Sequence, residues 1–223
     1  MKQLVILTLI VALSGSFTFA QISDSPLGLK AGTFSVSFSG GAYIPVDGKY
    51  SSTLDIKDLL ETGPELGVSL NYSLSPTLSI RGSYDYAYNY FKANFRPLDK
   101  KPAFHAPMIS TDLVLKFGTL ISENGTINPY CFSGVGVNLW EFSSDGTCLG
   151  NVMTSAKGKD WKKASLELHT GIGTEVYLNS NISLFAEGQL RYIFSKDKEN
   201  FGDDFGNLLF VKISGGLTYY FSF

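Results

Sequence analysis

The sequence predicts an all-β protein: an eight-stranded antiparallel up-and-down transmembrane β-barrel. Three observations predict it. Eight runs of residues alternate apolar and polar with period two. Long and short connections alternate between those runs. The polar faces carry ionised side chains while the apolar faces carry large rings. Successive strand side chains point to opposite faces, so each run has one apolar wall and one polar wall.

The last run is the clearest. Val211, Ile213, Gly215, Leu217, Tyr219, Phe221 and Phe223 share one face; Lys212, Ser214, Gly216, Thr218, Tyr220 and Ser222 share the other. In the first run Phe34, Val36, Phe38, Ala42 and Ile44 oppose Ser35, Ser37, Ser39 and Tyr43. In the second, Leu66, Val68, Leu70, Tyr72 and Leu74 oppose Glu65, Gly67, Ser69 and Asn71. The third sets Leu78, Ile80, Tyr84, Tyr86 and Tyr88 against Arg81, Ser83, Asp85 and Asn89. The fourth sets Ile109, Thr111, Leu113, Leu115 and Phe117 against Ser110, Asp112, Val114 and Lys116. The fifth, about 128–141, alternates less cleanly, with Val135, Val137 and Leu139 outward and Gly134, Gly136 and Asn138 inward. The sixth opposes Leu166, Leu168, Ile172 and Val176 to Glu167, His169, Gly171, Gly173 and Glu175. The seventh opposes Ile182, Leu184, Ala186, Leu190 and Tyr192 to Ser183, Glu187, Gln189 and Arg191. A hairpin centred near Ser180 sets Gly173 opposite Glu187 and His169 opposite Arg191.

Connections after runs one, three, five and seven are long, at about 45–64, 91–107, 142–163 and 195–207. Those after runs two and six are tight, at Ser75-Pro76-Thr77 and Asn179-Ser180-Asn181, and the one around Ser122-Glu123-Asn124-Gly125 is intermediate. Short turns at one end and long loops at the other mark membrane barrels. An even strand count puts both termini at the short-turn, periplasmic end.

A soluble eight-stranded barrel of the lipocalin type alternates too, but with its apolar face inside. The polar wall here holds Glu65, Asp85, Asp112, Glu167, Glu175 and Glu187 with Arg81, Lys116, Arg191 and Lys212. Basic residues at bilayer depth cost about 2–4 kcal/mol each if turned to lipid; turned inward they pair and hydrogen-bond. The rings of Phe34, Phe38, Tyr84, Tyr86, Tyr88, Tyr192, Tyr219, Phe221 and Phe223 are too bulky for an eight-stranded interior, whereas Gly and Ser suit a narrow lumen. The polar wall is therefore expected inside, as a side-chain filling with no channel.

Composition agrees. Charged residues make up 17%, below the roughly 25% of soluble domains, and no apolar stretch after the first twenty residues is long enough for a membrane helix. Residues 1–20 have the form of an export signal: Lys2, the apolar run Leu4 to Leu13, then Thr18-Phe19-Ala20 as a cleavage site before Gln21. Residues 21–223 are then a single barrel domain, located in the cell outer membrane. No cysteine follows the cleavage site, which excludes a lipid-modified N-terminus. A net charge of -2 leaves no basic footprint for nucleic acid. Cys131 and Cys148, placed at opposite ends of the barrel, are expected not to bridge, and with two scattered histidines they make no zinc pattern.

Pro129-Tyr130 with Gly134-Val135-Gly136-Val137, the run Asn181-Ile182-Ser183-Leu184-Phe185-Ala186-Glu187, and the terminal Gly216-Leu217-Thr218-Tyr219-Tyr220-Phe221-Ser222-Phe223 resemble the small outer-membrane β-barrel family, typified by the OmpA-like transmembrane domain. The resemblance covers the whole mature chain. It implies a protein of the Gram-negative cell envelope, without cofactors. It also implies that Leu217, Tyr219, Phe221 and Phe223 form the signal read by the outer-membrane barrel-assembly machinery. The sequence stops at the eighth run, so a peptidoglycan-binding domain is not expected.

Some barrels of this size act on lipid A, and one type uses a Ser-His-Glu hydrolase arrangement on a lipid-facing strand. A nucleophilic serine needs a base within hydrogen-bond reach. His169 is followed by Thr170-Gly171 and points to the lumen by parity, as a satisfied interior histidine beside Glu167 and Arg191. His105, among prolines in a long loop, is expected to be solvated. Buried acids such as Glu175 and Glu187 can serve acid–base chemistry, but a filled lumen admits no substrate. Gly134-Val135-Gly136 lies within a strand and opens no helix, so it is no dinucleotide fingerprint; it gives room to bulky lumenal neighbours. The long loops remain as the place for function. Trp140, Asp145, Trp161 and the lysines 157, 159, 162 and 163 are either a solvated face or a contact for lipopolysaccharide or another ligand. Tyr43, Tyr50, Phe91, Phe95 and Phe104 are either interfacial girdle or binding surface. The expected protein is a non-enzymatic monomer with a structural, adhesive or recognition role, in contact with outer-membrane lipids and lipopolysaccharide. A narrow porin-like channel and a lipid A-modifying enzyme are the alternatives.

Overall fold

The computed structural model describes residues 30–221 apart from 98–99, 118–125, 149, 156 and 203. The export signal and Phe223 thus lie outside the described residues. Eight strands follow in chain order: β1 Phe34–Asp47, β2 Gly63–Ser73, β3 Leu78–Tyr90, β4 Ala103–Lys116, β5 Ile127–Ser143, β6 Lys162–Tyr177, β7 Ile182–Ile193 and β8 Leu208–Phe221. Each pairs antiparallel with its neighbours, and β1 pairs with β8 from Phe34 opposite Phe221 onward, which closes the barrel. Closure removes both sheet edges, as a bilayer requires.

The tight turns show how the register is set. Asn179 Oδ1 accepts from the backbone N–H of Asn181 and Ile182, both at 2.9 Å, and the Ser75 hydroxyl accepts from the N–H of Leu78 at 3.0 Å. Such side-chain-to-backbone bonds are why Asn and Ser favour turns. With the β6–β7 turn fixed there, His169 faces Arg191 and Gly173 faces Glu187, as the sequence register has it. Cys131 lies on β5, Cys148 lies beyond its far end, and no disulfide joins them.

Burial follows parity. Ile172, Leu66 and Phe38 are 72%, 68% and 60% exposed on the outer wall, while Glu65, Arg81, Asp85, Asp112, Glu167, Arg191 and Lys212 are buried. This outer wall yields the first prediction. Ile172→Arg is expected to lower the unfolding free energy in lipid vesicles by about 2–4 kcal/mol. A wall facing water would register under about 0.5 kcal/mol; urea titration of vesicle-inserted protein separates the two.

The loops are shorter than expected at their strand junctions. Strand β4 already begins at Ala103, so the second loop ends near residue 102. Among the described residues the loop end also carries two single-turn α-helices, α1 Ile56–Leu59 in the first loop and α2 Lys198–Phe201 in the fourth, and a 3-10 turn, Ala93–Phe95, in the second.

Candidate functional site

The lumen is filled at two levels. Through the middle of the barrel, the inward side chains of six strands form one chain of ion pairs. Lys212 Nζ lies 2.7 Å from Glu65 and 2.8 Å from Asp85. Arg191 donates to Asp85 at 2.6 Å and to Glu167 at 2.7 Å. His169 Nδ1 is 3.3 Å from Glu167, and its Nε2 is bonded to Asp112. Arg81 donates to Asp112 at 2.7 Å and, through its other nitrogen, to Glu187. His169 thus stands between two carboxylates, those of Asp112 and Glu167. Nearer the turns, Lys116 lies 3.2 Å from Glu175, which also accepts from Ser183 and the Tyr220 hydroxyl.

Every charged lumenal side chain singled out by sequence, together with His169, belongs to one of these two clusters. Sequence reasoning passed over Tyr130, which donates to Glu187 at 2.8 Å, and Tyr177, which donates to Glu175 at 3.1 Å. Near the strand ends, an inward ring beside Cys131 or Val176 gives no polar–apolar contrast. Glycine makes room for the rings: a Cβ at Gly173 would stand 2.6 Å from the Tyr130 ring. The remaining space here is a cavity of about 30 Å³ lined by Ser37, Asn71, Arg81, Lys116, Glu175 and Tyr220 among others. That is room for about one or two waters.

Above the ion pairs the same inward face turns apolar, which corrects the expectation that rings cannot pack inside. Tyr43, Phe104, Met108, Trp140, Phe142 and Phe210 are buried in one core at the loop end. The loops complete it from above with Ile56, Leu59, Leu60, Phe91, Trp161 and Phe205. Tyr43 stacks on Phe210 at 4.3 Å, and Trp161 stacks on Phe201 at 4.9 Å. Small partners, Ala87 and Ala106, share this core and leave volume for the rings. Tyr43, Phe91, Phe104, Trp140 and Trp161 are therefore plug residues and neither girdle nor exposed binding surface; Tyr50 packs against the plug from its edge. Phe95 stays exposed.

His105 is a second correction. It is 2% exposed, on β4, and its Nδ1 is bonded to the Tyr86 hydroxyl at 2.7 Å. Its strand position points outward, but the third loop folds back over it. There Gly146, at φ 80°, comes so close to the Lys101 carbonyl that a Cβ would stand 2.6 Å from it.

Two loop carboxylates fasten these segments. Asp145 accepts from the Thr147 N–H at 3.0 Å, the Ser143 hydroxyl and the Asn151 amide, which hold its carboxyl down at about 2. Asp197 accepts from Asn200 and pairs with Lys163 at 3.1 Å, and is likewise lowered to about 2. A folded pKa below the unfolded one gives stability that is full above about pH 4 and lost as pH falls toward 2. Amide exchange in the third and fourth loops is thus expected to accelerate across that window. Asp145→Asn with Asp197→Asn should show the faster exchange already at pH 6; an acid-insensitive loop would contradict this.

No protein-family model and no curated protein sequence matches this chain. Its structure, however, is similar to solved structures. Neisserial surface protein A (NspA) is 17% identical, with 85% of this chain and 97% of that chain covered and a TM-score of 0.55. A major outer membrane protein from Thermus thermophilus is 15% identical, with 86% and 100% covered and a TM-score of 0.55. The outer membrane protein OprG from Pseudomonas aeruginosa is 15% identical, with 88% and 99% covered and a TM-score of 0.53. At such identities the likeness is one of architecture: the chain has the fold of a small eight-stranded outer-membrane β-barrel.

Proposed function

We propose that this chain is a non-enzymatic, monomeric outer-membrane protein whose lumen is closed and whose long loops serve a structural or surface-binding, adhesive role. The observation that carries the reading is the double filling of the lumen, ion pairs below and an aromatic plug above. An eight-stranded barrel is just wide enough for its own side chains, so this interior leaves loops and outer wall as the surfaces that meet other molecules. Export through a cleaved signal, insertion by the barrel-assembly machinery through Leu217, Tyr219, Phe221 and Phe223, and contact with lipopolysaccharide belong to the same reading. The exposed apolar wall supports it.

Planar-bilayer recording tests closure. Inserted protein is expected to show no steady conductance; a reproducible open state of defined size would establish a pore instead. Lipid A mass spectra with and without the gene test the absence of enzymatic action, and an altered acyl pattern would overturn it.

A further inference from the structure

The third and fourth loops enclose a cleft of about 440 Å³ on the loop end of the barrel. Lys159, Lys162 and Lys163 line it with Asp160, Asp197, Asn200 and the half-buried ring of Phe201. Its walls are fastened together: Lys157 donates to the Lys198 carbonyl at 2.7 Å and Ser155 to the Asn200 carbonyl at 3.1 Å. Two of the lining lysines are neutralised, Lys162 by Asp160 at 3.1 Å and Lys163 by Asp197 at 3.1 Å. Lys159 makes no ion pair among the described residues and is exposed. Across 157–163 and 196–199, six lysines stand against three acids in a chain whose net charge is -2, so positive charge is concentrated here.

The height of the cleft narrows the choice of occupant. Lys162 shares its outward strand face with Leu166 and Leu168, which belong to the exposed apolar wall. Beside Leu166, at the end of the neighbouring strand, stand Tyr192 and Phe194, both exposed, their rings edge to face at 5.0 Å. Aromatic girdles mark the edge of the hydrocarbon. Lys162 lies four residues beyond Leu166, about 13 Å along the strand at ~3.3 Å per residue, which is about 10 Å of height once strands tilt by roughly 40°. The Lys162 backbone therefore stands just outside a headgroup layer about 5–8 Å thick, and its side chain is long enough to reach back to that layer.

We propose that this cleft holds the phosphorylated saccharide headgroup of a glycolipid standing in the same outer leaflet. Ammonium groups suit the phosphate as point charges, Asp160 and Asn200 offer acceptors and donors for sugar hydroxyls, and the Phe201 ring offers an apolar surface for the sugar. A phosphorylated sugar uses all three features; a bare acyl chain uses the ring alone. The proposal rests on the outer-membrane reading given above.

The test uses the full chain in phosphatidylcholine nanodiscs, with bound glycolipid counted by native mass spectrometry. The probes are a short-core lipopolysaccharide, the same molecule after phosphatase treatment, and its soluble phosphorylated oligosaccharide without acyl chains. About one intact glycolipid should be retained per barrel. Binding should weaken about tenfold or more for the dephosphorylated form, for the soluble oligosaccharide, and for Lys159→Ala with Lys162→Ala. Lys92→Ala with Lys100→Ala, on the second loop, should bind as the unaltered protein does. Equal binding by the Lys159/Lys162 variant or by the dephosphorylated glycolipid overturns the proposal, as does equal loss in the Lys92/Lys100 variant. A soluble oligosaccharide that binds as tightly also overturns it, in favour of a free glycan. The phosphatase comparison needs no variant, so a misfolded mutant cannot blur the result. Failure of the chain to insert into the bilayer would count against the outer-membrane reading as well; insertion without selective binding counts against this proposal alone.

Discussion

Replacing Arg191 with methionine is expected to lower the unfolding free energy by about 3–5 kcal/mol. Arg191 is 1% exposed and bridges Asp85 and Glu167. Its loss leaves both carboxylates buried with fewer partners: Lys212 for the first, His169 and Asn138 for the second. The penalty comes from stranding charge in a poorly solvated interior, so removing a stranded charge should relieve it. Glu167→Gln added to Arg191→Met is expected to recover about 1 kcal/mol or more, a coupling measurable by a double-mutant cycle. Urea unfolding in vesicles provides the readout. Strict additivity of the two substitutions would show that the ion pairs do not act as one lattice.

Trp140→Ala is expected to cost a similar amount, about 3–5 kcal/mol, through the cavity left in the plug. The indole is fully buried, lies within 5.5 Å of the Phe205 ring, and donates from Nε1 to the Ser165 hydroxyl at 2.9 Å. Alanine therefore removes ring contacts and leaves Ser165 without that donor. Because the chain has two tryptophans, 140 and 161, both in the plug, the remaining Trp161 fluorescence should shift red as water enters the loosened core. The variant should nevertheless conduct no steady current, since the ion-pair lattice below still blocks the lumen. A conducting Trp140→Ala barrel would mean that the plug alone keeps the lumen shut.

The lower half of this molecule was legible from alternation because its two faces meet different surroundings. Leu168 against His169, or Ile213 against Lys212, shows the contrast in adjacent letters. The upper half was not, because there both faces are covered. The inward row of β4 continues from Asp112 and Ser110 into Met108, Ala106 and Phe104, and its outward row ends in His105 and Ala103 beneath the third loop. With apolar residues on both sides, the run 103–107 loses its period and reads as a loop. Strand β5 behaves the same way, passing from outward Val135, Val137 and Leu139 to inward Trp140 and Phe142. The fate of His105 depended on a loop folding back from much later in the chain, which no local pattern records. The ion-pair residues were identifiable as a set, but their pairing was not; Arg81 with Glu187 and Lys212 with Glu65 cross the lumen between strands that are not neighbours.

The central claim is that the apolar wall meets acyl chains and the polar wall meets itself. Nuclear Overhauser contacts between lipid acyl protons and protein methyl groups, recorded in nanodiscs, test it without any substitution. Ile172, Leu70, Val135, Leu184 and Ile213 should show strong acyl contacts, whereas Val114 and Ile193, which face inward, should show none. Acyl contacts at Val114 and Ile193 with water contacts at Ile172 and Val135 would contradict the account.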